Sequence, residues 1–123
     1  MSDGLRFRAQ DVGGCIICRV TGEVDLVSAA TLHEHLLAQL DDDHPLLVVD
    51  LAGVGFMDSS ALAALVAAHR QAEKFGGGVR LAGAHGAARK VLEVSQIDVV
   101  LDHHDDVGDA VEAALAARDG EPS

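Results

Sequence analysis

Leu46-Leu47-Val48-Val49-Asp50-Leu51-Ala52-Gly53-Val54-Gly55-Phe56-Met57-Asp58-Ser59-Ser60-Ala61-Leu62-Ala63-Ala64-Leu65-Val66 carries the decisive transition of this chain. It opens with a continuous apolar run, Leu46 to Leu51, of the length and β-branching expected of a central strand buried on both faces. After Gly53 and Gly55 come Asp58, Ser59 and Ser60, residue types that cap helix N-termini by accepting hydrogen bonds from free backbone N–H groups. The alanine-dense stretch from Ser59 to Phe75 then reads as a helix, and Gly76-Gly77-Gly78 ends it, since glycine takes the left-handed conformation after a helix without strain. Strand, turn and capped helix in that order make a βα unit.

The flanks extend the pattern. Leu5 to Ala9 alternates as a half-exposed strand, Asp11-Val12-Gly13-Gly14 supplies a turn, and Cys15 to Thr21 is a more apolar return strand ended by Gly22-Glu23-Val24-Asp25. Ala29, Leu32, Leu36 and Leu40 recur at helical spacing and Asp41 to Pro45 stops that helix. Val79 to Ala82 reads as a strand, Ala87 to Val94 as a helix and Ile97 to Leu101 as a further strand. Val107, Ala110, Val111, Ala114 and Leu115 mark a last helix. The order β-β-α-β-α-β-α-β-α predicts an α/β fold: a mixed, largely parallel sheet after an N-terminal hairpin, flanked by helices.

With 123 residues, 49% hydrophobic and 24% charged, the chain has room for one core. The expected domain spans residues 1–118, with 119–123 as a flexible tail. No apolar run approaches the 18 or more residues needed to span a bilayer. Met1 to Phe7 has neither a basic start nor an apolar continuation, so the expectation is a cytoplasmic protein without membrane contact. Nine Lys and Arg against twenty Asp and Glu give a net charge of −11, which repels a phosphate backbone and argues against nucleic acid. Cys15 and Cys18 imitate a C-x-x-C redox motif, but on a strand residues three apart point to opposite faces and can neither pair nor share a metal. They read as small buried hydrophobes.

Phe56-Met57-Asp58-Ser59-Ser60-Ala61-Leu62-Ala63 after the Leu-Val-Val-Asp-Leu strand resembles the STAS-domain anti-sigma factor antagonists of bacterial sporulation and stress regulation. Thr21-Gly22-Glu23-Val24-Asp25 and Gly76-Gly77-Gly78-Val79-Arg80-Leu81-Ala82 add support. The resemblance covers nearly the whole chain and implies the STAS fold. It also implies phosphorylation of Ser59, the serine directly after the aspartate, by a partner that is both ATP-dependent serine kinase and anti-sigma factor. The unphosphorylated form captures that kinase and frees a sigma factor; the phosphorylated form lets go. A serine phosphatase would reset the cycle. The implied contact residues are Glu23, Asp25, Asp58, Ser60, Ala61 and Leu62, with His69 as a rim contact, in a monomer or weak dimer that is not itself an enzyme. Neither cofactor nor metal is implied.

Phosphate adds about −1.5 to −2 charge, which a helix N-terminus accepts but an interface built around a bare hydroxyl does not. A penalty of about 3–4 kcal/mol would lower affinity several hundredfold. The family's usual glycines are replaced by Ala61 and Ala63; each methyl is expected to thicken the surface beside Ser59.

Three other readings compete. Within the same fold, the chain could be an unphosphorylated subunit of a lipid-transport complex or stress-sensing particle. A serine hydrolase would need a histidine base at Ser59, and His85 is the candidate. Asp102-His103-His104-Asp105-Asp106 resembles a metal cluster in composition, but adjacent residues seldom converge on one ion and a solvated turn is the expectation. Gly76-Gly77-Gly78 follows a helix and precedes a strand, the reverse of a phosphate-binding loop.

Overall fold

A computed structural model describes residues 4–120. The expectations for Met1 to Asp3 and for 121–123 lie outside the described residues. The elements are β1 (Arg6–Val12), β2 (Cys15–Val24), α1 (Leu26–Ala38), β3 (Leu46–Met57), α2 (Ser59–Lys74), β4 (Gly78–Ala82), α3 (Gly86–Ser95), β5 (His103–His104) and α4 (Val107–Arg118), with a 3-10 turn at Ile97–Val99. They build the expected α/β architecture, one five-stranded sheet in the order β1-β2-β3-β4-β5. β1 and β2 form the antiparallel hairpin, and β2 to β5 run parallel.

Alternation along the strands divides the core. Ile16, Cys18, Val20, Leu47, Val49 and Leu81 face α1, α2 and α3, whereas Cys15, Ile17, Leu46, Val48 and Ala82 face α4 alone. Cys15 and Cys18 are free and buried on opposite faces, and burial pushes both thiols up to about 11.

Two strand boundaries differ from the sequence reading. β3 continues six residues past Leu51 because its second half still has a partner: Thr21 pairs with Gly53, Glu23 with Phe56 and Val24 with Met57, across a register shift between Gly22 and Glu23. The segment Gly22-Glu23-Val24 is therefore strand rather than loop. Ile97 to Leu101 is not a strand. Its buried residues, Ile97 and Leu101, stand four apart, as on a helical turn, and both Val100 N–H and Leu101 N–H donate to the Ile97 carbonyl at 2.8 Å. The fifth strand is instead His103–His104, held to β4 in register Leu81 to His103 and Ala82 to His104. The β-branching of Ile97, Val99 and Val100 favours a strand locally, but burying Ile97 and Leu101 together outweighs it.

The chain passes from α2 into β4 through Gly76, at φ +91°, and Gly77, whose absent side chain makes room for Pro45: a methyl at 77 would overlap the Pro45 carbonyl. Gly77→Ala should therefore destabilise the fold by about 1–3 kcal/mol through overpacking. Gly55→Ala, whose methyl meets nothing within 4 Å, should change stability by less than about 0.5 kcal/mol. Urea titration of both variants checks the difference.

Candidate functional site

The ends of β2 and β3 lie side by side, so the two helices that follow begin at one corner. Asp25 caps α1 and Asp58 caps α2 with nearly the same backbone, φ −116° ψ −171° and φ −115° ψ −170°. Asp25 Oδ1 accepts from Val27 N–H and Ser28 N–H at 3.0 Å, while Ser28 Oγ accepts from Asp25 N–H at 3.0 Å and shares its one proton between the Glu23 carbonyl at 3.0 Å and Asp25 Oδ1 at 3.1 Å. Asp58 Oδ1 accepts from Ser60 N–H at 2.9 Å, and Asp58 N–H donates to the Val24 carbonyl at 3.1 Å. That last bond ties the start of α2 to the end of β2. The capping role weighed from sequence is thus real for Asp58, and Asp25 shares it.

Ser59 is the first residue of α2 and is exposed. No hydrogen bond among the described residues involves its hydroxyl, although its backbone belongs to a well-capped helix. Glu23 and Asp25 are exposed beside it and Asp58 is half-buried, so the corner combines a free hydroxyl with carboxylates. The first-turn N–H groups and dipole of α2 face the same corner. Hydrogen bonds from the Ser28 backbone N–H and then the Ser28 hydroxyl hold the Asp25 carboxyl below its ordinary value, against a smaller opposing effect of desolvation.

The other expected residues separate. Ser60 and Leu62 are half-buried, and Leu62 packs against the core. Ala61 is fully buried, so its methyl fills core space and neither touches a partner nor thickens the surface. Ala63 is exposed and stands one helical turn beyond Ser59; the steric effect expected of both alanines rests on it alone. His69, expected as a rim contact, is half-buried: its Nδ1 accepts from Val79 N–H at 3.0 Å, locking α2 to β4, and its Nε2 lies 3.6 Å from Glu73.

The sequence reading missed Leu26 and Val27, exposed at 77% and 75%, which with Phe56 at 42% give the corner an apolar surface. Two large apolar residues directly after an aspartate cap were the available signal. They precede the buried stripe of Ala29, Leu32 and Leu36, so at the helix start they project beyond the sheet.

The rival chemistries find no geometry. His85 Nε2 donates to the Ala52 carbonyl at 2.9 Å, and no imidazole hydrogen-bonds Ser59 among the described residues. Asp102 pairs with Arg80 at 2.9 Å and Asp105 with Arg89 at 3.4 Å, and Asp106 caps α4. His103 Nε2 accepts from Ala84 N–H at 3.1 Å, with its pKa lowered by burial and then by Arg89. Only His103 and His104 of this segment form an edge strand, half-buried, which the solvated turn expected did not include; Asp102, Asp105 and Asp106 are exposed. The Gly76 and Gly77 N–H groups bond to the Glu73 and Ala72 carbonyls, as a helix end requires.

The STAS domain family model matches residues 6–110. The anti-sigma-F factor antagonist RsfB of Mycobacterium tuberculosis is 34% identical over 77 residues, which are 60% of this chain and 63% of the relative's length. Among solved structures, an anti-sigma factor antagonist from Mycobacterium paratuberculosis superposes with a TM-score of 0.81 at 29% identity, covering 93% of this chain and 97% of that one. The Bacillus cell fate determinant SpoIIAA in its phosphorylated form superposes with a TM-score of 0.65 at 18% identity, covering 88% and 98%; at that identity the likeness is one of fold.

The depressed Asp25 carboxyl makes a pH-dependent cap. A lowered folded-state value stabilises the fold above the ordinary 3.8 and ceases to do so as pH falls through the lowered value. Asp25→Asn keeps an acceptor without the titration. The Tm gap between wild type and Asp25→Asn should stay constant above the ordinary 3.8 and shrink as pH falls from there through the lowered value.

Proposed function

Because the chain belongs to the STAS domain family, we propose that it is an anti-sigma factor antagonist switched by phosphorylation of Ser59. The observation that carries this reading is an exposed serine hydroxyl, without a hydrogen-bond partner, on the first residue of a capped helix in a corner of carboxylates and exposed apolar side chains. The names of the relatives at 34% and 29% identity agree with it, and the Bacillus neighbour is itself a phosphorylated protein by its description.

The unmodified corner presents Leu26, Val27 and Phe56 as apolar contacts, with Glu23 and Asp25 for basic groups on the anti-sigma factor. Desolvating such apolar side chains contributes roughly 25 cal/mol per Å² of area buried. Asp58 and Ser60 support the corner from behind. Capture of the anti-sigma factor there would free its sigma factor in the cytoplasm, where transcription runs. In the reverse step the partner, acting as serine kinase, transfers the γ-phosphoryl group of ATP to Ser59 Oγ. The hydroxyl proton goes to a base on the kinase and ADP departs. A serine phosphatase would hydrolyse the ester to restore the hydroxyl. The protein is substrate and ligand in this cycle, not catalyst.

The ester brings a dianion beside Asp25, Glu23 and Asp58. Within the free protein the α2 N-terminus offsets part of that charge, so the fold tolerates it. In the complex the same charge is desolvated against carboxylates, a cost larger than the α2 N-terminus offsets. Dissociation follows from this asymmetry.

Ser59→Ala should retain binding to the cognate anti-sigma factor, and Ser59→Asp should weaken it at least tenfold, measured by calorimetry. Equal affinities would reject the switch. Incubation with the kinase and ATP should place one phosphate on Ser59 by mass spectrometry. Ala63→Gly should raise the phosphorylation rate while costing about 1 kcal/mol of helix stability; an unchanged rate would show that this methyl does not obstruct the kinase.

A further inference from the structure

The chain has few cations, yet three of its nine Lys and Arg meet on one small surface. The register sets Arg8 directly opposite Arg19 and Arg6 opposite Thr21. Alternation puts all of them on the sheet face that carries Cys15 and Ile17, the face covered by α4. That helix reaches Cys15, Ile17, Leu46, Val48 and Ala82. Beyond Ile17 the face is bare, a shallow depression of about 340 Å³ lined by Arg6, Phe7, Arg8, Arg19 and Thr21.

Arg19 Nε lies 3.4 Å from Asp50 Oδ2. Neither Arg6 nor Arg8 pairs with a carboxylate among the described residues. Like charges directly opposite across an antiparallel pair destabilise it, so this arrangement costs stability in a protein with carboxylates in excess. β1 is also the edge of the sheet, seven residues long, with no strand on its outer side among the described residues. Charge on an edge strand does deter self-association. Carboxylates would deter it equally, whereas arginines select what can approach.

We propose that the outer edge of β1, with Arg6, Arg8 and Arg19, docks an extended acidic segment of a partner protein, which adds as a further strand. Main-chain hydrogen bonds would supply affinity, and alternate side chains specificity. Every second residue of that segment is acidic and faces the arginines. The intervening residues are apolar, because they fall on the side of Phe7, which is half-buried and stacked on His35 with ring centroids 4.0 Å apart. This surface adjoins the Ser59 corner without sharing a residue with it: Arg6 stands opposite Thr21, two residues before Glu23, and β3 runs on through Phe56 and Met57 before Ser59. Both could be occupied together, and the proposal holds whether or not Ser59 is phosphorylated.

The probe is a labelled octapeptide alternating Glu with Val, followed by fluorescence anisotropy at low and high salt, with amide hydrogen exchange read on β1. The wild-type protein should bind it, less tightly as salt rises, with slowed exchange between residues 6 and 12. Arg6→Glu/Arg8→Glu should lose at least tenfold in affinity. Arg6→Gln/Arg8→Gln, with circular dichroism to check the fold, should show a smaller loss. Ser59→Asp should bind as wild type does, which separates this site from the switch. No binding, an affinity unchanged by the double reversal, or binding without protection of β1 would overturn the proposal. So would tighter binding of a DNA oligonucleotide or of phosphatidylserine vesicles through the same arginines.

Discussion

The hydrogen bond from Asp58 N–H to the Val24 carbonyl, at 3.1 Å, and the pairing of Val24 with Met57 beneath it set the geometry of the candidate site. Val24 and Met57 are both buried, so the ends of β2 and β3 are fastened by core packing as well as by backbone. Both chains then turn outward through an aspartate in the same extended conformation and start a helix. Glu23, Asp25, Leu26, Val27, Phe56 and Ser59 come from two separate stretches of sequence and form one surface only because those strand ends are paired.

Local chemistry made much of the fold legible. The run Leu46 to Leu51 is a strand buried on both faces because helices cover both sides of the sheet there. The alanine-dense stretch after Asp58 is a helix whose small residues Ala61, Ala64, Ala68 and Ala72 let it lie close against the sheet. Harder to read were features decided by distant partners. The extension of β3 to Met57 depends on β2 offering an edge as far as Val24, and the Ile97 turn depends on placing Ile97 and Leu101 in the core together. Neither pairing is written in the local pattern. In the site, residue types alone gave a helix cap among Asp58, Ser59 and Ser60, and the resemblance to the STAS-domain antagonists singled out Ser59. Ala61 and Ala63 looked equivalent in sequence, and only helix phase put one in the core and the other beside the hydroxyl.

A serine on the first turn of a helix combines two properties that a phosphorylation switch needs. The backbone there has N–H groups without helical partners, so added negative charge is tolerated by the free protein. The side chain points away from the helix body, so the charge can meet an incoming surface. In the switch we propose, the neighbouring carboxylates would strengthen the effect in the complex and leave the core untouched, separating binding from stability.

Calorimetric titration of the cognate anti-sigma factor with the enzymatically phosphorylated protein, beside the unmodified protein, tests this account most directly. The account predicts that the phosphorylated form binds at least a hundredfold more weakly while its Tm stays within a few degrees of the unmodified form. Equal affinities, or a loss of binding that merely tracks unfolding, would contradict it.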